Sequence, residues 1–294
     1  MNWPAELESP LRAQADCLRP LTLVPLWVRG EDRVDFLNRL LTQEVPEPGP
    51  DPRFSWAALC QAQGRVIALF RIASHPDAVI LLMENDLASR VRDALQRYIL
   101  RSRVHLELGD PGRVVGGWRM PESEENLPSL PPDYSLLGLD PHASALPRYL
   151  ACGPPVKPPS HTVPDSLWRG IDFWIGIPRI LAATSGQFVP HALHLTGIGA
   201  VSLRKGCYPG QEVIARTEYR GRIKRLLVLL ETPTVHPPGT PLTVCGSGDP
   251  LGTVLDSLSW PETGTWTQAV VSEEGLARIL SESGTRVLRA FRPA

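Results

Sequence analysis

The chain has 294 residues, 21% of them charged, and a formal net charge of -1. That balance excludes a whole-protein field able to drive bulk nucleic-acid binding, so no direct DNA binding is expected and any basic site is local. The length suggests roughly two or three packed units, enough to enclose a ligand pocket. The Met1 to Arg29 segment carries Glu6, Glu8 and Asp16 and is broken by Pro4, Pro10, Pro20 and Pro25, which fits neither a secretory signal nor a transit peptide. No apolar run approaches the roughly 20 residues that cross a bilayer, so no membrane contact and a cytoplasmic location are expected. Cys17, Cys60, Cys152, Cys207 and Cys245 lie far apart, without a CxxC pair or the Cys/His spacing of a metal cage. The chain is therefore not expected to hold a metal or a cluster by itself.

In chain order, Leu21 to Val28 reads as a strand, Gly30 as a turn and Asp32 to Thr42 as a helix, with Phe36, Leu37, Leu40 and Leu41 at helical spacing. Ala57 to Gln61, a Gln63–Gly64–Arg65 turn, Val66 to Ile72 and Ala78 to Met83 follow as strands with a hairpin pattern. From Asp86, the residues Leu87, Val91, Ala94, Leu95, Tyr98 and Ile99 share one helix face, and Val104 to Leu108 is another strand. Mixed strands and helices make the class α+β. Between Pro121 and Pro164 stand 11 of the 31 prolines, which predicts a long surface connection or a shortened remnant of structure. Pattern resumes at Ser166. After Arg225 come short strands at Leu226 to Glu231, Leu242 to Cys245, Gly252 to Leu258, Trp266 to Ser272 and Arg286 to Phe291. With turns at Pro237–Pro238–Gly239 and Gly246–Ser247–Gly248, they predict a small closed β unit. No internal repeat is present.

The chemistry concentrates between Ser185 and Arg225. Tyr208, Pro209, Gly210 and Gln211 spell a type II turn, because proline presets φ at the second position and glycine accepts positive φ at the third. Cys207 sits beside it, after Gly206, with Arg204, Lys205 and Arg216 near in sequence; cationic neighbours favour a thiolate. The alternative is a buried cysteine acting as a small hydrophobe. Gln211 and Glu212 either orient a polar ligand edge or satisfy backbone groups of the turn. The cations Arg216, Arg220, Arg222, Lys224 and Arg225 form either an anion site or a solvated face. Trp168 and Trp174 are either core or flat walls for a planar ligand, and Arg169 beside Trp168 has the planar fork that binds a carboxylate. His191 and His194 are spaced as a metal pair would need, but without a visible third ligand they read as pocket-wall hydrogen bonders.

The string Lys205, Gly206, Cys207, Tyr208, Pro209, Gly210, Gln211, Glu212, followed by Ala215–Arg216 and Arg220–Gly221, resembles the signature of the YgfZ-type folate-binding and iron–sulfur assembly family. That family is related to the aminomethyltransferase of glycine cleavage. Gly30 to Thr42, the Gly64–Arg65 turn, Gly176–Ile177–Pro178 and Ser185 to Pro190 resemble further family segments. The resemblance implies aminomethyltransferase-like folate-binding lobes around a central channel, with a C-terminal β-barrel. Its domains would be a folate lobe from 1–50 and 111–222, an inserted lobe at 51–110 and the barrel at 223–294. It also implies a tetrahydrofolate-type cofactor and, as partners, iron–sulfur client enzymes or assembly proteins, including radical enzymes that thiolate tRNA. Cys207 and Lys205 would carry the chemistry, and Trp168, Arg169, Tyr208, Gln211, Glu212 and Arg216 would bind folate.

Two departures qualify the match. Trp174 stands where relatives commonly have a glutamate, and a family tryptophan falls at Leu23, with Trp27 nearby as a stand-in. The expected function is a folate-binding accessory factor for maturing or repairing iron–sulfur enzymes. A folate-dependent aminomethyl transferase is the alternative, and a binding scaffold without thiol chemistry is the third reading.

Overall fold

The computed structural model describes residues 3–15, 17–49, 52–119, 130, 132–140, 146–154, 166–220, 224–243, 250–260, 264–282 and 285–292. In chain order the elements are α1 (Ala5–Ala13), β1 (Arg19–Pro20), β2 (Leu23–Arg29), α2 (Arg33–Asn38), β3 (Ser55–Cys60), β4 (Val66–His75), β5 (Ala78–Glu84), α3 (Ala88–Gln96), β6 (His105–Leu108) and β7 (Val114–Trp118). Then follow β8 (Ser135–Leu139), β9 (Arg148–Cys152), α4 (Ser166–Ile175), α5 (Gln211–Arg220), β10 (Arg225–Thr232), β11 (Pro241–Leu242), β12 (Gly252–Trp260), β13 (Gly264–Ser272), α6 (Glu273–Glu282) and β14 (Arg286–Phe291). Two compact units divide them: Met1–Ala57 with Phe70–Trp168, and Ala58–Leu69 with Arg169–Ala294. No helix among the described residues is long and apolar enough to cross a membrane.

In the first unit, β2 lies between β5 and β6, antiparallel to both, with Leu26 opposite Leu81 and Val28 opposite Leu106. The expected hairpin is present, since β4 pairs with β5 through Ile72 and Leu81. Helix α3 buries Ala88, Val91 and Leu95, of which Val91 and Leu95 belong to the expected face. It stops at Gln96, short of the expected Ile99. Bonds from Tyr98 N–H to Leu95 and from Ile99 N–H to Gln96 tighten the last turn, and Tyr98 is exposed.

The proline-rich stretch is not all connection. Its described parts include β8 and β9, which pair antiparallel, and β9 pairs in turn with β7 to build a sheet ordered β1-β7-β9-β8. Every residue of β9 is buried. Pro147 and Pro154 lie outside the ends of β9, where no ladder bond is lost, so proline density across the window concealed a strand. Residues 120–129, 131, 141–145 and 155–165 lie outside the described residues.

In the second unit, α4 closes with Gly176 at φ 82°, while the N–H groups of Gly176 and Ile177 bond back to Phe173 and Asp172. This is the glycine cap that ends a helix before Pro178. The C-terminal strands form a sheet ordered β11-β12-β13-β10-β14. Leu226, Val228, Leu230, Val254, Ala269 and Val271 make its core, joined by Leu276 and Ile279 of α6. The sequence reading placed no helix between β13 and β14. Among the described residues β11 and β14 are the sheet edges, and no ladder closes them into a barrel. Cys245 and the Gly246–Ser247–Gly248 turn lie outside the described residues, as do Gly221 and Arg222.

Candidate functional site

The motif turn forms as its residues require. Gly210 takes φ 81°, and the Gln211 N–H bonds the Tyr208 carbonyl at 3.1 Å. Directly after it the chain enters α5, so Glu212 and Arg216 are exposed positions of a helix rather than of a strand. The turn is fastened from several sides. The Tyr208 hydroxyl donates to the Ser202 carbonyl at 3.2 Å, and Gln211 Nε2 donates to the Lys205 carbonyl at 3.2 Å. Ser202 Oγ accepts from the Arg204 and Lys205 amides. Gln211 thus takes the backbone-satisfying role of its two readings. Lys205 is buried, with its ammonium 5.7 Å from the centre of the Tyr208 ring.

Cys207 is an exposed free thiol, which removes the reading of a buried small hydrophobe. A Cβ added to neighbouring Gly206 would meet nothing within 4 Å, so backbone and thiol stand clear together. Beneath the turn the chemistry is opposite. Burial pushes the Cys60 thiol up to about 12, and it raises the Tyr208 phenol as well, with the Cys60 charge adding to that rise. No local signal marked Cys60 as a neighbour of the motif, because it comes from a hairpin nearly 150 residues earlier (207 − 60 = 147).

Trp168 belongs to the first unit and is 2% exposed. Its ring lies over Gly116, where a Cβ would fall 2.8 Å from the indole Cζ3. The Arg148 guanidinium sits 4.4 Å from the Trp168 ring centre, and Arg71 is shared between Trp56 at 4.4 Å and Trp168 at 5.8 Å. Arg148 is wholly buried and paired with Asp140, its Nε donating to Oδ2 at 2.9 Å. Trp56 Nε1 and Trp168 Nε1 are buried donors without an acceptor among the described residues. Sequence reading missed Trp56, Arg71, Asp140 and Arg148, which only strand pairing brings to Trp168. Trp27 lines a separate cleft of about 340 Å³ in this unit, with the Arg113 guanidinium 5.3 Å from its ring.

The other candidates lie in the second unit. Arg169 forms an ion pair with Asp256 and donates to the Ser257 carbonyl, and Arg179 meets the same carboxylate at 3.1 Å. Arg169 Nη2 is therefore engaged by a protein carboxylate. Trp174 stacks on Trp266 at 5.7 Å beneath the Arg289 guanidinium. His191 is buried with Nε2 2.8 Å from Glu218, whereas His194 adopts φ 59° and packs on Phe291. The two rings have separate partners, and no group of three metal-ligating side chains occurs among the described residues.

Comparison with known proteins places these features. The tRNA-modifying protein YgfZ of Sodalis glossinidius is 28% identical over 286 residues, covering 87% of this chain and 86% of its own. That of Edwardsiella ictaluri is 28% identical over 304 residues, with 93% and 90% covered. The chain is similar over most of its length to the YgfZ proteins. The YgfZ of Escherichia fergusonii, at 27% identity over 292 residues, covers 90% of this chain and 86% of its own. No family model matches the chain. Among solved structures, aminomethyltransferase T of the Bartonella henselae glycine cleavage system superposes with a TM-score of 0.62 over 92% of this chain and 83% of its own. At 15% identity that likeness concerns the fold, which is aminomethyltransferase-like. The aminomethyltransferase-like fold expected from the resemblance of Lys205 to Glu212 is the fold observed.

Proposed function

We propose that this chain is a folate-binding accessory factor, acting in the cytoplasm, for the maturation or repair of iron–sulfur enzymes that include tRNA-modifying ones. The names of its YgfZ relatives support the link to tRNA modification. The observation that carries folate binding is the pair of buried indole donors, Trp56 Nε1 and Trp168 Nε1, framed by Arg71 and Arg148. A buried donor without an acceptor costs about 1–3 kcal/mol, and a ligand bearing carbonyl or carboxylate oxygens relieves that cost. A pterin with its glutamate tail is such a ligand.

When bound, a reduced folate supplies one-carbon or reducing chemistry. The chain's own contribution is the exposed Cys207 thiol, held by the Tyr208–Gln211 turn beside Lys205, with Glu212 and Arg216 on the helix that follows. A thiolate there is a nucleophile and a soft ligand for iron or sulfur donors. The lobes at 1–50 with 111–222 and at 51–110, and a C-terminal β unit at 223–294, belong to this reading.

The test is calorimetric titration with tetrahydrofolate and its one-carbon derivatives. Weak binding of about 5 to 6 kcal/mol is expected. Trp168→Phe, which keeps the ring and deletes the donor, should weaken it by about tenfold. Undetectable binding of every reduced folate at millimolar concentration overturns the reading. Complementation of a strain lacking its own factor tests the iron–sulfur role, which Cys207→Ser should abolish.

A further inference from the structure

The second unit holds a cleft of about 310 Å³ to which Arg65, Lys224 and Arg225 bring three cationic side chains. Arg65 donates one Nη1 hydrogen to the Gln187 carbonyl at 3.0 Å, leaving the rest of its fork. No carboxylate among the described residues pairs with any of the three, and all three are exposed. Cations on a surface are commonly just solvated. The cleft differs because His191 lines it while being fully buried. Its Nε2 lies 2.8 Å from the Glu218 carboxylate, which only accepts, so that nitrogen carries a hydrogen. Its Nδ1 is buried and has no partner among the described residues. An imidazole so held offers Nδ1 as an acceptor when neutral and as a donor when protonated.

Three cations exceed what one carboxylate, with two oxygens, takes up. A phosphomonoester has three terminal oxygens and a second ionisation near pH 6, so its singly protonated form also has an O–H to donate. It matches both the cations and Nδ1. The volume lies at the small end of ligand pockets, the size for a small molecule rather than a polymer strand. We propose that the cleft of Arg65, His191, Lys224 and Arg225 binds the phosphate group of a small phosphomonoester, a site independent of folate binding.

Calorimetry on the full chain tests this with inorganic phosphate, glycerol phosphate, glutamate and a short single-stranded RNA lacking terminal phosphates. The two phosphates should saturate one site per chain, and the double variant Lys224→Gln with Arg225→Gln should weaken them at least about tenfold. Both side chains are exposed, so the variant should keep its melting curve. The His191 ring resonances should shift on phosphate addition and stay still in the double variant. No saturation at millimolar phosphate, undiminished binding in the double variant, tighter binding of glutamate or RNA, or a His191 ring unmoved by saturating phosphate each overturns the proposal.

Discussion

Gly210 and Gly64 lie against each other: a Cβ built on Gly210 would fall 2.6 Å from the Gly64 Cα and 2.7 Å from the Gln61 carbonyl oxygen. The motif turn is thus seated on a hairpin turn nearly 150 residues away (210 − 64 = 146), and both glycines have positive φ. Gly210→Ala adds strain at φ 81° to a clash with backbone that cannot swing aside. We expect a loss of about 2–4 kcal/mol in urea unfolding, from overpacking and positive φ together. Gly206→Ala, four residues earlier in open space, should stay within about 0.5 kcal/mol. Equal losses in the two variants would refute the seating.

The cysteines should separate by burial. Alkylation of the native protein, mapped by mass spectrometry, should label Cys207 and Cys17 first and reach Cys60 and Cys152 only after unfolding. Cys207→Ser should leave stability within about 0.5 kcal/mol, because the side chain is exposed. Native labelling of Cys60 at the rate of Cys207 would contradict the packing beneath the turn.

Alkali should destabilise the fold through Cys60. Its folded thiol is pushed up to about 12, whereas an unfolded thiol ionises near 8.5, so between those values the unfolded chain binds fewer protons than the native one. Stability therefore falls as pH rises through that window, by up to about 1.4 kcal/mol per pH unit for one group. Tyr208, raised by burial, acts in the same direction at higher pH. Cys60→Ala should flatten the slope by one proton's worth when urea midpoints are measured from pH 8 to pH 11; an unchanged slope would exclude Cys60 as its source.

Arg148 and Asp140 form an ion pair whose side chains are both wholly buried. Removing one partner leaves the other charge uncompensated in the interior, so Asp140→Ala should cost about 3–5 kcal/mol. Urea unfolding followed by tryptophan fluorescence measures it. A loss below about 1 kcal/mol would mean that water or another acceptor reaches Arg148.

Features that depend on neighbours in the chain were legible without coordinates. The Tyr208–Pro209–Gly210 turn and the burial of Val91 and Leu95 on α3 follow from backbone preference and a 3.6-residue period. Helix α5 escaped because its stretch has one fully buried residue, Ile214, among exposed charges, so no apolar stripe announces it. Strands β8 and β9 escaped because their stability comes from pairing with each other and with β7, while local composition signals proline-rich connection.

What the sequence by itself determined is the position of the thiol, the turn beside it and the resemblance carried by Lys205 to Glu212. Tertiary structure decided which charges are already spoken for. Arg169 could be read as holding a ligand carboxylate, but it pairs with Asp256, 87 residues later, and of the two readings of Trp174, core or pocket wall, its stacking on Trp266 fits the first. Side chains far apart in sequence meet only when sheets and helices pack. A charge or an aromatic ring takes whichever partner the fold delivers, and no local pattern encodes that choice.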